Sequence, residues 1–135
     1  MPEWILSSGL VVWGIMILLT PGLFDSNFYA QFIAVMSQDL WGFATICLGT
    51  FRLLALLING LWRPTAHLRA LGAVGGTLIW GSLLSVSLIN SAARAPGIGI
   101  FGMLLAFEFM ALWWSAGDAK VADTAAKSKR EINGL

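Results

Sequence analysis

Four runs of apolar residues, each close to the roughly 20 that a helix needs to cross a bilayer core, divide the chain. They are "WILSSGLVVWGIMILLTPGLF" (4–24), "LWGFATICLGTFRLLALLINGLW" (40–62), "ALGAVGGTLIWGSLLSVSLIN" (70–90) and "GIGIFGMLLAFEFMALWWSAG" (97–117). Their ends carry helix punctuation: Pro21 and Gly22 close the first, Pro64 follows the second, and Pro96 opens the fourth. Trp4, Trp41, Trp62, Trp113 and Trp114 fall near these ends, at the headgroup level where indole rings prefer to lie. The pattern predicts an all-α polytopic membrane protein: four transmembrane helices in a bundle, forming one domain over 1–117, with a charged tail over 118–135.

Between the first two runs, Phe28, Tyr29, Phe32, Ile33 and Met36 recur at helical spacing in a stretch too short to span. This predicts an interfacial helix over 26–37, with Ser37 or Asp39 as N-cap of the second span. A long second helix leaning out of the membrane is the competing arrangement. The tail "DAKVADTAAKSKREINGL" reads as a frayed helix or a disordered segment.

Composition fits the same class. Hydrophobic residues make up 58% and charged residues 11% of the 135 positions, against about 25% charged in soluble domains. Eight Lys and Arg against seven Asp and Glu provide no basic surface for nucleic acid. The first run is too long for a signal peptide and Glu3 stands where a basic n-region would be, so it is expected to remain as an anchor. Cations decide orientation: Arg63 and Arg69 lie in the second connection and Lys120, Lys127, Lys129 and Arg130 in the tail, whereas the third connection has Arg94 and the first has none. The positive-inside rule then places both termini in the cytoplasm.

One cation falls inside a span. Arg52 lies one residue from the middle of the second run, and Glu108 one residue from the middle of the fourth. A guanidinium at mid-membrane costs about 3 kcal/mol on insertion scales, so it is expected to face protein and find a partner. The equal depths predict an Arg52–Glu108 pair joining the second and fourth helices. A static interhelical clamp is the reading preferred over an ion or proton pathway, because a permanently paired cation makes a carboxylate a poor proton carrier near neutrality. Thr45 and Asn59 flank Arg52 at seven-residue steps, and Ser115 follows Glu108 by seven, giving each helix a narrow polar face. Thr77, Gly81 and Ser85 continue from Ala73 at intervals of four, and Gly72 with Gly76 forms a GxxxG pair; with Gly102, these read as helix-packing positions. Trp13 and Trp80 read as packing residues near mid-depth.

Other chemistry is not indicated. Cys47 reads as a small buried hydrophobe, and His67 as a loop residue with no second histidine to complete a metal or haem site. Gly97, Gly99 and Gly102 match GxGxxG, but they open a membrane helix with no preceding strand. No GxSxG elbow is present. An enzyme is not expected, nor a cofactor or metal.

"RLLALLINGLWRPTAHLRALGA", Arg52 to Ala73, resembles a segment of small four-span membrane proteins of tailed phages and prophages. The resemblance covers about a sixth of the chain closely and implies a phage setting and a host inner-membrane location, with no functional residues to carry over. The function expected is that of a holin-like or membrane-remodelling protein that self-associates, with a small ion- or proton-coupled transporter or channel as the alternative and an accessory or scaffold subunit of a membrane complex as a further one. The length is similar to that of dimeric four-helix exporters and fluoride channels; the exporters' glutamate lies in the first span, whereas here the deep acid is in the fourth and Glu3 is at the membrane edge. The expected partners are the lipid bilayer and either further copies of the chain or another membrane protein.

Overall fold

Each apolar run becomes a helix, and the helices differ from the runs where polar chemistry intervenes. The computed structural model describes residues 2–61, 66–89, 96–132 and 134; Trp62, Arg63, Arg94 and the side chain of Asn59 lie outside the described residues. Helix α1 covers Pro2–Leu19, α2 Ala30–Ile33, α3 Gln38–Leu61, α4 Ala66–Ile89 and α5 Pro96–Ile132. Among the described residues, three helical stretches are long and apolar enough to cross a membrane: Gln38–Ile58, Ala66–Ile89 and Ile98–Ile132. The apolar part of α1, Glu3–Leu19, is shorter.

The first helix ends before Phe24, at Leu19, because Pro21 lacks an N–H and Gly22 takes a left-handed conformation (φ 71°) that turns the chain. Helix ends leave carbonyls without intrahelical partners. Here Gln38 supplies the missing donors: its Nε2 donates to the carbonyls of Ile17 (2.7 Å) and Thr20 (2.8 Å), and its Oε1 accepts from the backbone N–H of Phe24 (3.1 Å). One side chain thus ties the end of α1, the turn after it and the start of α3 together. Gln38→Ala should lower stability by about 1 kcal/mol, since the hydrogen bonds it removes are only partly buried. A thermal-unfolding loss no larger than that of the exposed neighbour Asp39→Ala would show that the ties carry nothing.

The interfacial helix expected over 26–37 is instead broken into 3₁₀ turns at Leu23–Asp25 and Asn27–Tyr29 followed by the single turn of α2. Aromatic packing shapes the segment: Phe24 stacks on Tyr29 (4.7 Å between centroids), Phe32 meets Trp41 edge-on (5.0 Å), and Trp41 Nε1 donates to the Phe32 carbonyl (2.9 Å). Burial in this cluster pushes the Tyr29 phenol above its usual pKa. The leaning second helix is not formed either. Ser37 occupies the N-cap position of α3, its carbonyl accepting from Trp41 N, while Asp39 sits inside the first turn.

At the opposite end, α4 begins at Ala66, which moves His67 and Arg69 out of the connection and into its first turns. Helix α5 does not stop at Gly117; the tail continues it to Ile132. The sequence "AKVADTAAKSKRE" is rich in Ala and Lys, strong helix formers, and Ala119 is buried.

Helix α1 packs on α3 and α4 on α5 as two antiparallel hairpins, with α3 against α4 and α1 against α5. The first hairpin closes through glycines. A Cβ on Gly49 would lie 2.8 Å from the Ser7 carbonyl oxygen, and one on Gly14 2.7 Å from that of Gly42. Outward faces are apolar on every long helix, for example Ile5, Val12 and Leu19 on α1, Phe43 and Leu54 on α3, Leu71 and Leu78 on α4, and Met103 and Phe109 on α5. Cys47, expected to be buried, is on such an outward face.

Candidate functional site

The inward face of α4 reads Arg69, Gly72, Gly76, Trp80, Leu83 and Ser87, steps of three and four that average the helical repeat. Glycine at 72 and 76 leaves a slot in that face, and charge fills it. Arg52 reaches from α3 and makes a two-pronged bond with Glu108 of α5: Nη1 to Oε1 at 2.5 Å and Nη2 to Oε2 at 2.9 Å. Arg52 is 4% exposed and Glu108 0%. The expected pairing of the second and fourth spans is present, but α3 and α5 are not among the helix pairs whose backbones pack closely. The side chains bridge them across α4. A Cβ on Gly72 would meet Arg52 Cγ at 2.6 Å, and one on Gly76 would collide with both Glu108 Oε1 and Arg52 Nη1. The GxxxG pair therefore accommodates an ion pair and not a neighbouring helix.

A second layer of charge lies towards the end where α1 and α4 begin. Arg69 donates from Nη2 (2.7 Å) and Nε (3.2 Å) to Glu3 Oε1, and from Nη1 to Asp118 Oδ2 (3.1 Å). Glu3 is thus buried within the helix assembly, and Ser7 donates to its carbonyl at 2.6 Å. Between the two layers Glu3, Arg52, Leu56 and Arg69 line a cavity of about 10 Å³, roughly the space of one water. Further out, on the exposed surface, His67 Nε2 lies 3.2 Å from Asp123 Oδ1. Towards the other end the line of charge stops at a ring cluster: Trp13, Trp80 and Phe101 lie with centroids 6.1–6.5 Å apart. The Trp80 indole is buried beside Glu108, with that carboxylate within reach of its Nε1–H, which makes no hydrogen bond of normal geometry among the described residues.

The remaining residues singled out from the sequence separate clearly. Thr45 and Ser115 face inward and are buried, yet their hydroxyls bond to carbonyls of their own helices, Trp41 (2.7 Å) and Ala111 (2.9 Å). Thr77 and Ser85 do likewise, to Ala73 and Gly81. The stripe at intervals of four does not stay in the interface, because each four-residue step advances about 40° beyond a full turn. Ala73 is accordingly buried and Ser85 exposed. A Cβ on Gly81 would make an ordinary contact with Leu105 at 3.8 Å, and Gly102 has open space, so neither is a close-approach position. Trp4 is exposed near the start of α1, as an anchor would be; Trp113 and Trp114 are exposed but lie within α5, which continues to Ile132, and Trp41 is half-buried and holds the connection to α3.

Sequence reasoning missed Glu3, Arg69, Asp118 and Gln38. Placing the third span at Ala70 put Arg69 in a loop. Its spacing to Gly72, Gly76 and Trp80 was the available signal. Comparison with known proteins finds no matching family model, no matching curated protein and no matching solved structure.

Proposed function

We propose that this chain is a four-span protein of a bacterial inner membrane, phage-encoded and non-enzymatic, with both termini cytoplasmic, and that it works as a small ion- or proton-coupled transporter. The apolar helix of 17 residues in α1 is about 26 Å long, close to the bilayer core, and its outward face is as apolar as those of the other spans. The start of α1, the start of α4 and the extension of α5 meet at one end through Glu3, Arg69 and Asp118. That end carries Lys120, Lys127, Lys129 and Arg130 on the exposed α5 extension, which supports its cytoplasmic placement. The phage setting rests on the resemblance of the Arg52–Ala73 segment.

The observation that carries the transport reading is the line of ionisable groups from that end to mid-depth, Asp118, Arg69, Glu3, Arg52 and Glu108, stopping at the aromatic cluster. Ionisable side chains at such depth mark ion and proton routes. The holin-like reading drew on small-residue faces for self-association, but Gly72 and Gly76 hold the ion pair, and Gly14, Gly42 and Gly49 close the first hairpin. Purified protein in liposomes carrying an internal pH dye should move protons when a salt gradient is imposed, and Glu108→Gln should abolish this. Expression in a bacterium should leave the membrane potential intact. Abrupt collapse of the potential would favour the holin-like reading; neither flux nor collapse would favour an accessory subunit.

A further inference from the structure

Charge balance around the mid-depth pair says more about what this site would take. We infer that Arg52 and Glu108 form a site that binds one proton together with one small monovalent anion, the proton going to a Glu108 carboxylate oxygen and the anion taking that carboxylate's place against the Arg52 guanidinium. This rests on the transport reading above and names the substrate class for it.

The buried charged groups cancel as they stand: Arg52 with Glu108, and Arg69 with Glu3. Asp118 lies at the exposed edge, where water shares its charge. Arginine does not give up its proton in proteins. A proton arriving alone at Glu108 would therefore leave an uncompensated cation deep in a low-dielectric region, which is the unfavourable state. An anion entering with the proton restores neutrality. The groups facing Glu108 from the neighbouring helices leave no other compensation: α3 presents Arg52, α1 presents Glu3, already engaged by Arg69 of α4, and α4 also presents the uncharged Trp80.

Hydrogen bonding leads to the same occupant. The guanidinium has five N–H donors, two of which the carboxylate accepts. Beside it the buried Trp80 Nε1–H, within reach of the Glu108 carboxylate, makes no hydrogen bond of normal geometry among the described residues. Donors are in surplus, and an ion that only accepts hydrogen bonds suits them. The cavity bounded by Glu3, Arg52, Leu56 and Arg69 has room for about one water-sized particle, which favours a small anion over a bulky one. It lies on the charged side of the pair, while Trp13, Trp80 and Phe101 close the other, so access is from the α5-extension end.

The test is a titration of the detergent-purified chain with sodium chloride and, separately, sodium fluoride at pH 5.5, 6.5 and 7.5, with gluconate holding ionic strength constant and melting temperature as readout. One proton bound per anion makes the apparent Kd fall about tenfold for each unit of pH decrease while Glu108 is ionised in the empty site. Glu108→Gln, a neutral stand-in for the protonated acid, should bind the same anion with no pH dependence. Because that variant could fail to fold, proton uptake is also measured on adding the salt to weakly buffered wild-type protein, where one proton per anion is expected. Anion binding without proton uptake, or no stabilisation by either halide, overturns the inference and leaves the pair as a fixed clamp. Proton flux in liposomes that ignores the anion would sink the coupling and spare the transport reading; coupled binding without flux would do the reverse.

Discussion

Replacing Arg52 by leucine should lower the stability of the folded protein by about 3–5 kcal/mol, more than replacing Arg52 and Glu108 together by leucine. The single change strands a carboxylate that is wholly buried and whose described charge partner is that guanidinium. The double change removes both desolvation penalties along with the attraction between them, which is often close to neutral. Glu108→Leu should likewise cost more than the double change, because it strands a buried guanidinium. Reversible unfolding of the three variants in mixed micelles measures this. Equal losses for Arg52→Leu and the double variant would mean that the pair contributes no coupling.

Gly76→Ala should cost about 3 kcal/mol, although alanine is the better helix former by about 1 kcal/mol. A methyl group at this position would occupy the space taken by Glu108 Oε1 and Arg52 Nη1. Relief requires the two charged groups to move apart or α4 to move away from α3 and α5, so overpacking and a weakened ion pair act together. Gly102→Ala provides the control. Position 102 has open space and lies on an equally apolar helix, so the same substitution there should be neutral or stabilising. If both variants melt at the same temperature, the slot in α4 is not what admits the pair. The measurement also separates the two meanings of GxxxG: a loss seen in single, dilute chains belongs to this internal slot, whereas one that grows with protein concentration belongs to association between copies.

The two halves of the charge line were not equally legible. Arg52 and Glu108 stood out because each interrupts a long apolar run at the same depth, and the energetic cost of a lone charge there forces a partner. Glu3 and Arg69 sit at run ends, where hydropathy cannot distinguish a solvated side chain from one turned inward. Gln38 had no sequence signal as a cap for α1, since its bonds cross about twenty residues of chain. The interfacial segment misled for a related reason: helical spacing of aromatic residues in 26–37 is satisfied equally by short turns that fold the rings onto one another and onto Trp41.

Apolar run length and the placement of Pro and Gly determined by themselves that this chain is helical and suited to a bilayer, because backbone hydrogen bonding in an oily solvent leaves few alternatives. Mid-run charges likewise determined that Arg52 and Glu108 would meet. Only tertiary structure decided how they meet, through the Gly72–Gly76 slot of a third helix, and that Glu3, Arg69 and Asp118 extend the line to one end. Periodicity records which residues share a face of one helix. Which faces oppose one another, and what passes between them, depends on side-chain volumes from several helices at once.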